Sequence, residues 1–84
     1  MTTFPFIDPV KTGQKINAFR QEKGMTVKEI QIAFGFGTPQ AVYKWIHGTT
    51  VPTVDNLIAL ACMFGVKIDD IIVTKTAGQE RMTA

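Results

Sequence analysis

Apolar positions fall into five short runs at helical spacing, each bounded by residues that start or stop a helix. Asp8-Pro9 predicts an N-cap followed by proline at the first helical position, where its missing N–H costs nothing. The first helix then runs to about Lys23 with Val10, Ile16 and Phe19 as its apolar positions. Gly13 lowers its propensity by about 1 kcal/mol relative to alanine, which leaves a start near Thr12 open. Gly24 stops it. Thr26-Val27-Lys28-Glu29 has the spacing of a capping box, with Met25 and Ile30 at the two staple positions, and Gly35 ends this second helix after Phe34. Gly35-Phe36-Gly37 predicts a turn, and Thr38-Pro39 an N-cap and first-position proline for a third helix that closes at Gly48. Thr53 caps a fourth helix with Asp55 in its first turn. Val54, Leu57, Ile58, Leu60, Ala61 and Phe64 make that helix apolar over much of its circumference, the expected centre of the core. Lys67 to Ile72 reads as a fifth, short helix. No stretch alternates as a strand, and residues 74–84 read as a frayed tail.

The fold class expected is therefore all-α, with the second and third helices joined by a glycine-containing turn as a helix-turn-helix. The domain expected is 1–73, including an N-terminal arm over 1–8, followed by a flexible tail over 74–84.

On a wheel of the third helix, Gln40, Tyr43, Lys44 and His47 share one arc, and Ala41, Val42, Trp45 and Ile46 the other. The polar arc lacks a carboxylate, as a helix entering a polyanion's groove requires. Gln pairs with adenine N6 and N7, and Lys donates to guanine or to a phosphate. A solvated face would look similar, so charge decides. Residues 11–50 hold six basic side chains (Lys11, Lys15, Arg20, Lys23, Lys28, Lys44) against Glu22 and Glu29, a balance of +4, whereas the rest of the chain carries −2. Positive charge thus accompanies the helix-turn-helix, which suits a phosphate-facing surface. The helix N-termini at Thr26 and Thr38 add outward backbone N–H groups for phosphate oxygens.

Composition narrows the alternatives. With 84 residues, 45% hydrophobic and 19% charged, the chain has room for one domain and little for a deep substrate cleft. The single Cys62 excludes an internal disulfide and a thiolate-rich metal site. No signal peptide or membrane-length apolar run is visible, and the expected location is cytoplasmic. Cys62, on a core-like helix, is expected to pack inertly. His47 stands alone and builds no zinc site; a surface or phosphate-adjacent place is expected. Gly35-Phe36-Gly37 is too short for a phosphate-binding loop. Phe34, Phe36 and Trp45 read as core. Asp69 and Asp70 point apart on a helix and act as dipole partners rather than a catalytic pair. Phe4, Pro5, Phe6 and Ile7 need cover, from the core or from a second subunit. With Ala59, Met63 and Ile71-Ile72-Val73, they point to a homodimer through the C-terminal helices or the N-terminal arm.

The set Ile16, Arg20, Gly24-Met25-Thr26-Val27, Glu29-Ile30, Phe34-Gly35, Val42, Trp45, Gly48, Pro52, Asn56-Leu57, Leu60-Ala61, Phe64-Gly65-Val66 and Ile68-Asp69-Asp70 resembles the phage repressor/Cro-type, or xenobiotic-response-element (XRE), helix-turn-helix family over about residues 12–72. The IDPVKTG opening and the GFGTPQAVYKWIHG segment also resemble a subgroup of small bacterial regulators. The resemblance implies a five-helix domain that binds operator DNA, commonly as a dimer, with its third helix in the major groove. It places Thr38, Gln40, Ala41 and Lys44 at base- or groove-facing positions, Tyr43 beside them, and Thr49 and Thr50 in a loop that meets the backbone. Three departures stand out. Gln31 replaces a usual small residue, so the second and third helices are expected to pack at a slightly different angle. The turn from Gly35 to Val42 is one residue longer than the common pattern. Val27 replaces a glutamine that binds phosphate in phage members.

The function expected is that of a sequence-specific DNA-binding transcriptional regulator, a repressor, without catalytic residues, metal or cofactor. Gln40, Ala41, Tyr43 and Lys44 are the expected base-reading residues, and Thr26, Lys28, Thr38, His47, Thr49 and Thr50 the expected phosphate contacts. Its partners are a double-stranded operator and a second copy. The rival reading is an antitoxin or other protein-interaction module that offers the same third-helix face to a toxin or another protein.

Overall fold

The computed structural model describes residues 4–76 and contains five helices and a two-stranded ribbon among them: β1 (Pro5–Ile7), α1 (Pro9–Glu22), α2 (Val27–Phe34), α3 (Gln40–His47), α4 (Val54–Phe64), α5 (Ile68–Ile71) and β2 (Thr74–Thr76). Start signals act as the sequence predicts at three helices. The Asp8 carboxylate accepts from Lys11 N at 3.0 Å, so α1 begins at Pro9 and not near Thr12. Thr26 and Glu29 form the reciprocal capping box of α2, and the Thr53 hydroxyl accepts from Asn56 N at the head of α4. At α5 the Asp70 carboxylate accepts from Lys67 N at 3.0 Å, so Lys67 is a cap and the helix ends at Ile71.

The start of α3 differs from expectation. Its first residue is Gln40, Pro39 stands at the N-cap, and no side chain caps the helix, so Thr38 does not take the predicted capping role. Gly37, Thr38 and Pro39 are all non-helical and bring the chain round before helical hydrogen bonding begins.

The core is one cluster of Ile16, Ile30, Val42, Trp45, Leu57, Leu60, Ala61, Phe64 and Ile71, drawn from all five helices. Phe19 stacks on Phe64 with ring centroids 5.9 Å apart. Burial on α4 is one-sided: Leu57, Leu60, Ala61 and Phe64 are inside, while Val54 and Ile58 are exposed. Cys62 shares that outer side and is an exposed free thiol, which corrects its assignment to packing. Val10 is likewise exposed.

Gly13 has a role that propensity alone does not reveal. A Cβ there would collide with the carbonyl oxygens of Trp45 and Ile46, so α1 and α3 cross at backbone contact. Beyond the crossing, Gly48 takes φ 76° and packs against Val10, with room for a Cβ only 2.7 Å from the Val10 Cα. The N-terminal turn of α1 is thereby seated against the C-terminal end of α3.

The ribbon corrects the expectation that no strand forms. Pro5, Phe6 and Ile7 pair antiparallel with Thr76, Lys75 and Thr74. Asp8 N donates to Val73 O at 2.7 Å, and the buried Thr12 hydroxyl accepts from Val73 N at 3.1 Å. The end of the domain is thus tied to the first turn of α1, and residues 74–76 belong to the fold instead of the predicted tail. Residues 77–84 of that tail lie outside the described residues. Three-residue strands are too short for sequence periodicity to identify.

Candidate nucleic-acid interface

Helix α3 turns a dry face and a wet face in opposite directions. Val42 and Trp45 are buried and Ala41 and Ile46 half-buried, whereas Gln40, Tyr43, Lys44 and His47 are exposed. This is the division that the wheel predicts. The dry side is held by aromatic rings: Trp45 meets Phe34 and Phe36 edge-on at 5.4 and 5.7 Å, and Phe34 stacks on Phe36 at 5.4 Å. The three rings serve the core and keep α3 fixed against α2 and its turn.

Gln31 reinforces the same turn, its side-chain amide donating to Phe36 O at 3.2 Å. A small residue at this position could not make that bond. Gln31 therefore braces the turn between α2 and α3 directly.

On the wet side, Tyr43 and His47 are stacked one helical turn apart, with ring centroids 6.0 Å apart and planes 21° from parallel. Gln40 stands between this pair and Lys44 on the arc. The half-buried Ala41 lies toward the margin instead of beside Gln40 on the open surface. Thr38, Thr49 and Thr50 are exposed at the two ends of α3, and Thr49 N and Thr50 N both donate to Lys44 O, which holds the loop close to the helix end.

Thr26 and Lys28 are exposed at the head of α2. There the Thr26 backbone N–H donates to the Glu29 carboxylate at 2.9 Å, and the Thr26 hydroxyl accepts from Glu29 N at 3.0 Å. Hydrogen bonding to the carboxylate, from the Thr26 backbone N–H first and the Thr26 side chain second, holds the Glu29 carboxyl below its usual range. The Glu29 carboxylate thus already engages the Thr26 N–H, and Lys28 is an exposed cation in the same turn.

The positive segment of the sequence is not a single positive face. On α1, Lys11 and Lys15 stand about 160° round from Gly13, which touches α3, and so lie on the far side of that helix. Arg20 is engaged internally. Its Nε and Nη2 donate to Asn17 Oδ1 at 3.0 and 2.8 Å, and its Nη1 donates to Met25 O at 2.9 Å, bracing the bend into α2. In the sequence Arg20 counts as surface charge, although its clamp partners lie only three and five residues away.

No buried side-chain polar atom among the described residues lacks a hydrogen-bond partner. Among them there is also no pocket, no group of His, Cys, Asp and Glu able to hold a metal ion, and no helix long and apolar enough to cross a membrane.

The sequence matches the family described as Helix-turn-helix over residues 16–71. No curated protein sequence matches it. The fold is similar to that of the BldD DNA-binding domain from S. venezulae, at TM-score 0.67 and 21% identity over 79% of this chain and 97% of that one. It is also similar to the restriction-modification controller protein C.AhdI from Aeromonas hydrophila, at TM-score 0.68 and 22% identity over 76% and 96% of the two chains. The clp gene regulator ClgR from C. glutamicum gives TM-score 0.68 at 20% identity over 79% and 84%. At these identities the likeness is one of fold.

Proposed function

The chain belongs to the helix-turn-helix family, in its XRE-type branch, and from that membership we propose that it is a sequence-specific DNA-binding transcriptional repressor of the cytoplasm. The observation that carries this reading is the outer face of α3, where Gln40, Tyr43, Lys44 and His47 are exposed together with no carboxylate among them, opposite a buried Val42 and Trp45. Gln40 and Lys44 read base edges, with Ala41 and Tyr43 at the margins. Lys28, Thr38, His47, Thr49 and Thr50 meet phosphates, with Thr26 behind Glu29.

The reading also includes a second copy. Eight residues of helix extend about 12 Å, which spans three or four base pairs at most. A word that short recurs many times in any genome, and two copies across a dyad double the sequence read.

The test is binding to a random duplex pool at rising salt. Affinity is expected to fall steeply, with a logarithmic slope of about −0.9 per neutralised phosphate. A flat response would favour a protein partner and the antitoxin reading. On the sequence recovered, Gln40→Ala is expected to cost about 1–3 kcal/mol while changing random-sequence binding little, and Lys28→Ala to weaken both alike. Equal losses on both duplexes from Gln40→Ala would remove its base-reading role.

A further inference from the structure

Resting on the DNA-binding reading, we infer that the Tyr43–His47 stack is a single recognition unit that reads the 5-methyl group of a thymine at one margin of the half-site. At 100° per residue, Tyr43 lies about 60° to one side of Gln40, and Lys44 about 40° to the other, with His47 between Gln40 and Tyr43. The arc therefore has a hydrogen-bonding side and an aromatic side. Helical side chains lean back over the preceding turn, so the His47 ring lies against Tyr43 and restricts where the phenol can swing.

Tyr43 is 45% exposed even with the stack in place. An exposed ring held along the helix offers apolar surface to the groove instead of reaching toward its floor. The apolar feature that a major groove displays is the thymine 5-methyl group. Lys44 and Gln40 can satisfy polar base edges, but neither discriminates a methyl from a hydrogen. The aromatic pair does so by removing that methyl from water, and His47 contributes by keeping the ring in place. Tyr43 is thus the specificity-determining residue and His47 the positioning residue.

The experiment uses the full chain and the duplex recovered from a random pool, with each thymine replaced in turn by deoxyuridine. This replacement leaves every hydrogen-bonding group intact and deletes one methyl. Binding is expected to weaken about fourfold at one position per half-site, the equivalent of one buried apolar carbon. That sensitivity is expected to disappear in Tyr43→Ala, persist in Tyr43→Phe, and shrink in His47→Ala while discrimination at the Gln40 and Lys44 positions is kept. The substituted positions are exposed, and Tyr43→Phe checks that the ring and not the hydroxyl is responsible. A recovered site that tolerates deoxyuridine everywhere, or a methyl dependence unchanged in Tyr43→Ala, overturns this inference and leaves the DNA-binding reading standing. A pool that yields no enriched sequence overturns both.

Discussion

The two helices of the helix-turn-helix are each eight residues long, yet they are secured in opposite ways. Helix α2 is specified locally: Thr26 and Glu29 exchange hydrogen bonds at its head, and only Ile30 among its residues is fully buried. Helix α3 has no side-chain cap and owes its place to Val42 and Trp45, to the rings of Phe34 and Phe36, and to its crossing with α1 at Gly13. A helix that presents its outer face to a ligand gains from this arrangement, because its position is fixed from behind and its exposed residues remain free of structural duties.

The contrast breaks most visibly at Trp45. Trp45→Ala removes a 5%-exposed side chain and two edge-on ring contacts, and is expected to lower unfolding free energy by about 3–5 kcal/mol in denaturant titration. A loss below about 1 kcal/mol would mean that α3 is not held from its dry side.

Gly13→Ala comes next and turns on sign. In an ordinary helix interior the change adds about 1 kcal/mol of stability. Here the new methyl would collide with two backbone carbonyl oxygens, which cannot rotate aside, so a net loss of about 2 kcal/mol is expected. Stabilisation by Gly13→Ala would show that the helices do not cross so closely.

The two N-terminal threonines sharpen the comparison directly. Thr26→Ala is expected to cost about 1 kcal/mol because it removes the acceptor of Glu29 N. Thr38→Ala, at an exposed position that caps nothing, is expected to change stability by less than about 0.5 kcal/mol. Equal costs from the two substitutions would erase the distinction between a local and a tertiary helix.

The same distinction explains what the sequence could reveal. Caps at Thr26 and Thr53, and the glycine stops at positions 35, 48 and 65, are short-range chemistry, and these boundaries were legible to the residue, whereas the Asp8 cap left the start of α1 open as far as Thr12. The wet and dry arcs of α3 were legible because they depend only on helical period. What stayed hidden depends on residues far apart in sequence. Gly13 looked like a weakness until Trp45 and Ile46 were placed beside it. Arg20 is the exception, since Asn17 and Met25 O lie only three and five residues away, but a guanidinium that clamps a bend reads in sequence like one that faces solvent. The ribbon needed Val73 to meet Asp8 and Thr12 across about sixty residues. Cys62, Val54 and Ile58 were misjudged for a related reason: the sequence of α4 is apolar nearly all round, and only the partners it meets decide which side is inside.

The smallest expected effect is also the most specific to α2. Glu29 is fully exposed, and its carboxyl is lowered from the ordinary value of 4.5 by the Thr26 N–H and then by the Thr26 hydroxyl. A carboxylate with a folded pKa below its unfolded one contributes stability that is complete above the unfolded value and is lost as pH falls through the folded one. Glu29→Gln retains an acceptor oxygen but not the charge. The stability difference between the two proteins is therefore expected to be largest near neutral pH and to close as the pH drops below 4.5. Thr38→Ala, measured alongside, should show no such dependence, since no carboxylate supports the start of α3. If the Glu29→Gln difference were constant from neutral to acid pH, the box would be holding α2 by shape and neutral hydrogen bonding alone, and the charge at its head would be incidental to the fold.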